Sequence, residues 1–175
     1  MISPLPRAYR PRILSGMLRP GQTAPLFEAR SDEGQFLSLL ALRGQWVVLY
    51  FFPRAMTPAC TMEAAGFETL IGDFQQRSAQ VIGVSSDTEA RQALFRDTCH
   101  LSFALLPDSE KRVCRAYGVL GGLGGWLGLS QRCTYLIDPA GTVVRVWTVT
   151  EPGQHAAEVL RELSARQPVS SPGQR

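Results

Sequence analysis

Residues 47–52 read Val-Val-Leu-Tyr-Phe-Phe, an apolar, β-prone run with no polar alternation. A strand with this composition exposes neither face, so it predicts the centre of a sheet covered by other elements on both sides. The whole apolar run, 46–53, is too short to cross a bilayer. The chain has 175 residues, 45% hydrophobic and 19% charged. That composition fits one globular domain with a sizeable core and argues against disordered or fibrous classes.

Elements alternate around the central run. Residues 26–29 and 36–39 flank Asp32-Glu33-Gly34, a turn composition, and predict a short hairpin. Residues 58 to about 76 carry Phe67, Leu70, Ile71 and Phe74 at helical spacing. Residues 80–84 predict another strand. Ser86-Asp87-Thr88-Glu89 matches a capping box, opening a helix to about residue 98 with Ala90, Ala93 and Leu94 inward. Residues 103–106 predict a strand, and Asp108 can cap a helix that places Val113, Ala116 and Tyr117 on one face. Residues 133–137 and 143–147 flank Asp138-Pro139-Ala140-Gly141, a strong hairpin signal, and a last helix spans about 155–165. The pattern predicts a three-layer α/β fold with a central mixed sheet and helices on both faces.

The domain is expected over 19–166, between a basic extension at 1–18 and a frayed tail at 167–175. The net charge of +3 owes much to Arg7, Arg10, Arg12 and Arg19, all placed before the first acidic residue, Glu28. Beyond them the signs nearly balance, so no nucleic-acid partner is expected. No apolar stretch follows the basic N-terminus, which argues against a secretory signal and favours a cytoplasmic setting. Organelle targeting by 1–18 is opposed by three prolines, and Met17 is an alternative start. Residues 121–129 are glycine-rich yet apolar and fit no phosphate-binding pattern. Two readings stay open for them: an apolar rim near the active site, or a connector folded onto the core.

Chemistry concentrates in Pro53-Arg54-Ala55-Met56-Thr57-Pro58-Ala59-Cys60-Thr61-Met62-Glu63. The central strand ends at Phe52, and Thr57 and Pro58 are preferred N-cap and first helical residues. Cys60 therefore falls in the first turn of a helix, where free backbone N–H groups and the helix dipole favour an anion. Such a position suits a reactive thiolate better than a buried apolar filler. Cys60, Cys99, Cys114 and Cys133 contain no CxxC and no zinc spacing, so no metal is expected.

At these residues the sequence resembles the peroxiredoxins, in the bacterioferritin-comigratory-protein or peroxiredoxin Q branch. The signature of an apolar strand, Pro53 and Thr57-Pro58-Ala59-Cys60-Thr61-Met62-Glu63 carries the likeness. It continues through Gly83-Val84-Ser85-Ser86-Asp87, Leu105-Leu106-Pro107-Asp108, Ala116-Tyr117-Gly118-Val119 and Arg132-Cys133-Thr134-Tyr135-Leu136-Ile137-Asp138, covering about 21–163. The resemblance implies a thioredoxin-like fold and a thiol-dependent peroxidase that needs no metal, haem, flavin or other cofactor. It implies that Cys60 is the peroxidatic nucleophile and that Pro53 shields it. Thr57 would bond the thiolate and the peroxide, and Arg132 would steady the thiolate and polarise the peroxide oxygens. It also implies a peroxide substrate, thioredoxin or another thiol as reductant, and a monomer or weak dimer.

The chain departs from the branch at the resolving cysteine. One customary position is Ala65; the other matches Arg96, with Cys99 a little further on. Cys99 is a candidate resolver, and so is Cys114, although Cys114 also reads as core filler. Cys133 alternates onto the opposite sheet face from Arg132 and Thr134. A one-cysteine cycle resolved by an external thiol stays open. His100 and His155 carry no expected catalytic role, since neither lies near the Cys60 motif in the predicted layout. The competing functions are a thiol–disulfide oxidoreductase, opposed by Thr57 standing where a CxxC would begin, and a non-catalytic interaction module.

Overall fold

The apolar run becomes β3 (Trp46–Phe51), the middle strand of a five-stranded sheet. The structure is a computed structural model that describes residues 16–121 and 125–167. Beyond β3 the elements are β1 (Glu28–Arg30), β2 (Phe36–Ser38), α1 (Pro58–Thr69), α2 (Ile71–Gln76), β4 (Ala79–Ser85), α3 (Glu89–Cys99) and β5 (Ala104–Pro107). They continue with α4 (Arg112–Ala116), β6 (Cys133–Ile137), β7 (Val143–Thr148) and α5 (Pro152–Arg166).

The sheet order is β5-β4-β3-β6-β7. β3 runs parallel to β4 and antiparallel to β6, so the sheet is mixed as expected. Successive residues of β3, and Phe52 just after it, feed opposite cores. Val48, Tyr50 and Phe52 join residues from α1, α2, α3 and α5, whereas Val47, Leu49 and Phe51 join residues from α4 and the leading segment. This alternation is the period of two that strand geometry imposes, with both faces dry. Gly83 of β4 is required by this packing, because a Cβ there would lie 2.8 Å from the Tyr50 ring and 2.9 Å from Leu105.

Several expectations need correcting. The helix read over 58–76 is two helices, α1 and α2, meeting at Leu70, whose ψ of 7° leaves the helical range. The capping box gives way to Thr88, whose side chain accepts from the Arg91 N–H. The buried face of α3 is also not the apolar one: Gln92, Phe95 and Arg96 are buried, while Leu94 is 55% exposed. Gln92 and Arg96 enter the interior because internal partners satisfy them, Ser85 Oγ and the Leu106 carbonyl for Gln92 and Asp32 for Arg96. Asp108 does cap α4, accepting from the N–H groups of Arg112 and Cys114.

Residues 1–15 of the extension expected at 1–18, and most of the tail, lie outside the described residues, while Leu18 at the end of that extension is buried in the core. In the 121–129 segment, Ser86 Oγ donates to the Gly128 carbonyl, tying it to the turn after β4. Ser130 Oγ donates to the Phe52 carbonyl at the end of β3. Trp126 and Leu127 are 95% and 78% exposed beside these anchors.

Candidate active site

The site forms where β3 ends and α1 begins. Thr57 has extended backbone (φ −86°, ψ 152°), Pro58 occupies the first helical turn, and the Thr61 N–H makes an early helical bond to the Thr57 carbonyl. The amides of Ala59 and Cys60 thus belong to the unpaired N-terminal turn. Cys60 points inward and is only 2% exposed.

Register supplies the counter-charge. β6 pairs antiparallel with β3, with Cys133 opposite Phe51, so Arg132 sits opposite the point where β3 gives way to the Cys60 loop. Its carbonyl accepts from the Val149 N–H, fixing the backbone. Arg132 Nη2 donates to Cys60 Sγ at 3.2 Å, and Nη1 donates to Glu63 Oε2 at 2.5 Å. One guanidinium therefore spans two residues on one face of α1, three apart.

Glu63 is a component that reading by sequence missed. It belongs to the recognised motif, yet no charged residue on an amphipathic helix signals burial without a known partner. Here the side chain is fully buried, and only Arg132 offsets the cost. Burial pushes the Glu63 carboxyl up to about 7, against the pull of Arg132. Burial acts to lower Arg132, but Glu63 and Cys60 outweigh it and hold the guanidinium above its ordinary value. Glu63 Oε1 and the Tyr50 hydroxyl are buried with no hydrogen-bond partner. Burial, followed by the charges of Glu63, Cys60 and Cys99, raises Tyr50 well above the usual phenol range.

The loop leading to Cys60 is fastened from the turn after β4 and from α3. Asp87 Oδ2 accepts from the Ala55 N–H at 2.7 Å and from Ser85 Oγ at 2.7 Å. Arg91 Nη2 donates to the Ala55 carbonyl at 3.0 Å, and Arg91 pairs with Asp87 at 3.1 Å. Both backbone groups of Ala55 are thereby held. Met56 next to it takes a positive φ of 70°, a strained turn for a non-glycine residue.

The sequence-derived residues come together unevenly. Cys60 and Arg132 touch. Pro53 is half-buried in the same loop. The Thr57 hydroxyl donates to the Arg54 carbonyl at 3.0 Å and makes no cap bond, so it does not engage the sulfur as expected. A hydroxyl next to a free loop carbonyl satisfies itself locally. His155 lies closer to the site than its place in the sequence suggests. It is buried on α5, its Nε2 is 2.7 Å from Thr134 Oγ1, and it packs edge-on against Phe67. Burial lowers it to about 4; Glu158 opposes this and the Arg132 charge adds to it.

The sheet separates the remaining thiols. Cys60 and Cys99 border the core beneath α1, α2, α3 and α5, whereas Cys114 and Cys133 are buried in the other. Cys99, at the end of α3, lies near Thr61, the neighbour of Cys60; burial raises the thiol, against the pull of the Thr61 side chain. Burial raises Cys133 to about 12 and drives Cys114, which also faces Asp108, still further up. Among the described residues no cluster of His, Cys, Asp and Glu is arranged to hold a metal ion, and no helix is long and apolar enough to cross a membrane.

A family model described as the AhpC/TSA family matches residues 20–146. Peroxiredoxin Bcp of Bacillus subtilis is 35% identical over 147 residues, covering 82% of this chain and 93% of its own. The crystal structure of peroxidoxin BcpB from Mycobacterium tuberculosis superposes with a TM-score of 0.78 at 33% identity, covering 86% of this chain and 99% of that one. A Xanthomonas campestris bacterioferritin comigratory protein, whose structures concern alkyl peroxide reduction, superposes at 0.75 with 30% identity, over 85% of this chain and 96% of its own.

Proposed function

The chain belongs to the AhpC/TSA family, in its Bcp or peroxiredoxin Q branch, and is a thiol peroxidase; from that premise we propose that Cys60 is its peroxidatic nucleophile and Arg132 the group that orients sulfur and peroxide. The observation that carries this reading is the 3.2 Å contact between Arg132 Nη2 and a Cys60 sulfur only 2% exposed. Arginine stays charged at any working pH, and a donor aimed at developing oxygen charge lowers the barrier most where water is excluded.

The Cys60 thiolate attacks one peroxide oxygen, forming an S–O bond as the O–O bond breaks. Sulfur is oxidised to a sulfenic acid, and the departing oxygen takes up a proton as water or an alcohol. Pro53 limits solvent at the sulfur, and a rotation about χ1 frees the Thr57 hydroxyl for the peroxide. Hydrogen peroxide and organic hydroperoxides both fit this chemistry.

A thiol reductant closes the cycle, and we assign the first resolving step to Cys99. It shares a side of the sheet with Cys60 and lies near Thr61, whereas Cys114 is walled off on the other side. Thioredoxin is the proposed external reductant, and the domain at 19–166 is proposed to act in the cytoplasm as a monomer or weak dimer, without nucleic acid, as the branch resemblance suggests. The test is peroxide consumption with a thiol reductant. Cys60→Ser is expected to abolish it; retained turnover in that variant, or insulin reduction without peroxide consumption, overturns the assignment.

A further inference from the structure

Arg132 serves two acids with one positive charge. Its Nη2 donates to Cys60 Sγ at 3.2 Å and its Nη1 to Glu63 Oε2 at 2.5 Å. Both acids are out of solvent, Glu63 at 0% and Cys60 at 2% exposure. Among the described residues only Arg132 pulls the Glu63 carboxyl down. The titratable groups around the cluster on other elements are uncharged in slightly alkaline solution. Burial raises Tyr50 of β3 well above the phenol range, Cys133 of β6 to about 12 and the Cys99 thiol of α3 above its ordinary value. Burial lowers His155 of α5 to about 4.

Two negative charges against one guanidinium would leave one of them uncompensated in the interior, a costly arrangement. Acids this close titrate as a pair rather than singly. The two Glu63 oxygens differ accordingly: Oε2 accepts from Arg132, whereas Oε1 is buried with no partner. A bare carboxylate oxygen there would go unsolvated, but a protonated carboxyl has no charge to solvate. Burial, opposed by Arg132, already brings the carboxyl to about 7. A thiolate on the same guanidinium pushes it higher, as a like charge does. Once the sulfur is a neutral sulfenic acid that push ends, and the whole guanidinium charge is available to a carboxylate.

We propose that Glu63 holds a proton while Cys60 is a thiolate and gives it up when Cys60 is oxidised, so that the buried cluster stays neutral through the first half of the cycle. This rests on the assignment of Cys60 above. In the step, an S–O bond forms as the O–O bond breaks, sulfur is oxidised and the peroxide reduced. The departing oxygen gains a proton and Glu63 loses one. Thiolate, peroxide and Glu63 acid become sulfenic acid, water or alcohol, and Glu63 carboxylate, with atoms and charge equal on both sides. The balance is the same whether the proton passes within the site or by way of water, since bulk solution neither gains nor loses one. Arg132 faces a single negative charge throughout, first on sulfur and afterwards on Glu63.

Proton uptake from weakly buffered solution, read with an indicator dye during one turnover with one equivalent of hydrogen peroxide, tests the proposal. The pH is set about one unit above the Glu63 carboxyl, where the neutral sulfenic state leaves that group ionised. A Cys99→Ser background ends the reaction at the sulfenic acid, and peptide mapping with a 1,3-diketone probe counts the oxidised Cys60. Linkage predicts roughly 0 protons taken up per oxidised Cys60 with Glu63 present, and roughly 1 in Glu63→Gln, which has none to give. A purely structural role would slow that variant without changing the count. Infrared difference spectra of the background protein, oxidised against reduced, should show a protonated carboxyl stretch disappear and a carboxylate stretch appear. That measurement decides alone if Glu63→Gln does not fold. Equal uptake in the two proteins, or no carboxyl change in the infrared, overturns the proposal. Oxidation falling on a thiol other than Cys60 overturns the nucleophile assignment instead, and the proposal with it.

Discussion

Arg132 reaches Cys60 with one guanidinium nitrogen, at 3.2 Å, and Glu63 with another, at 2.5 Å. The two bonds lock the plane of the fork, so the orientation of Nη2 toward sulfur depends on a carboxylate that never meets solvent. Arg132→Lys keeps a positive charge but offers a single point donor, unable to serve both partners at these positions. Its second-order rate with hydrogen peroxide is expected to fall by about 10²-fold, the scale of one lost oxyanion donor. Stopped-flow measurement of the first turnover checks this, and a loss under threefold would contradict it.

Two buried groups give stability an opposed dependence on pH. Glu63 is raised from 4.5 to about 7, so its contribution is full below pH 4.5 and is lost as pH rises through 7. His155 is lowered from 6.5 to about 4, so its contribution is present above 6.5 and is lost as pH falls through 4. Each shift corresponds to roughly 3 kcal/mol by linkage, and the two slopes oppose each other between pH 4.5 and 6.5. Glu63→Gln should therefore make urea stability rise with pH across that window, and His155→Gln should make it fall. Unchanged slopes in both variants would show that neither group titrates as described.

Asp87 acts on the reactive loop at a distance from the sulfur. Asp87→Ala strands the Ala55 N–H and releases Arg91, so the loop that sets the height of Cys60 loses both of its ties. A displacement near 1 Å costs reactions of this type about 10²-fold, and a buried unsatisfied amide costs about 1–3 kcal/mol. The expected variant is folded, modestly destabilised and slow toward peroxide. Equal rates in variant and wild type would assign the Asp87 contacts to stability alone.

The thiols should react as two classes. Cys114 and Cys133 are fully buried with raised values, so iodoacetamide near neutral pH should label Cys60 and Cys99 and leave the other pair untouched until the protein unfolds. Because burial also raises Cys99, disulfide formation after peroxide treatment should accelerate as pH increases above neutrality. Peptide mapping of the alkylated chain provides the readout.

Gly83→Ala should destabilise the fold by about 1–3 kcal/mol, the usual range for overpacking a full core. The added methyl meets the Tyr50 ring, which is stacked at 4.6 Å on Phe67 of α1. Chemical denaturation measures the loss; a shift below 0.5 kcal/mol would mean that Tyr50 can retreat.

What could be read from the chain in advance divides along one line. β3 announced itself because a run of apolar residues needs no partner to be interpreted, and Cys60 did so because cap, proline and thiol lie within four positions. The strand alternation likewise set Cys133 against Arg132 correctly. Residues whose role depends on a distant partner stayed hidden. Arg96 and Gln92 looked like the solvent side of α3 until Asp32 and Ser85 arrived from elsewhere in the chain. Glu63 is buried only because β6 delivers Arg132, and His155 nears the site only because α5 folds back over α1. The Thr57 hydroxyl turned to a carbonyl three residues away, a local choice that composition does not dictate.

The β-sheet is also an insulating wall between sulfur atoms. By splitting four cysteines into two chambers, it keeps Cys60 with Cys99 on one side and Cys114 with Cys133 on the other. A disulfide from Cys60 to either thiol of the other pair would have to cross the sheet, so the fold itself bars such scrambled pairings.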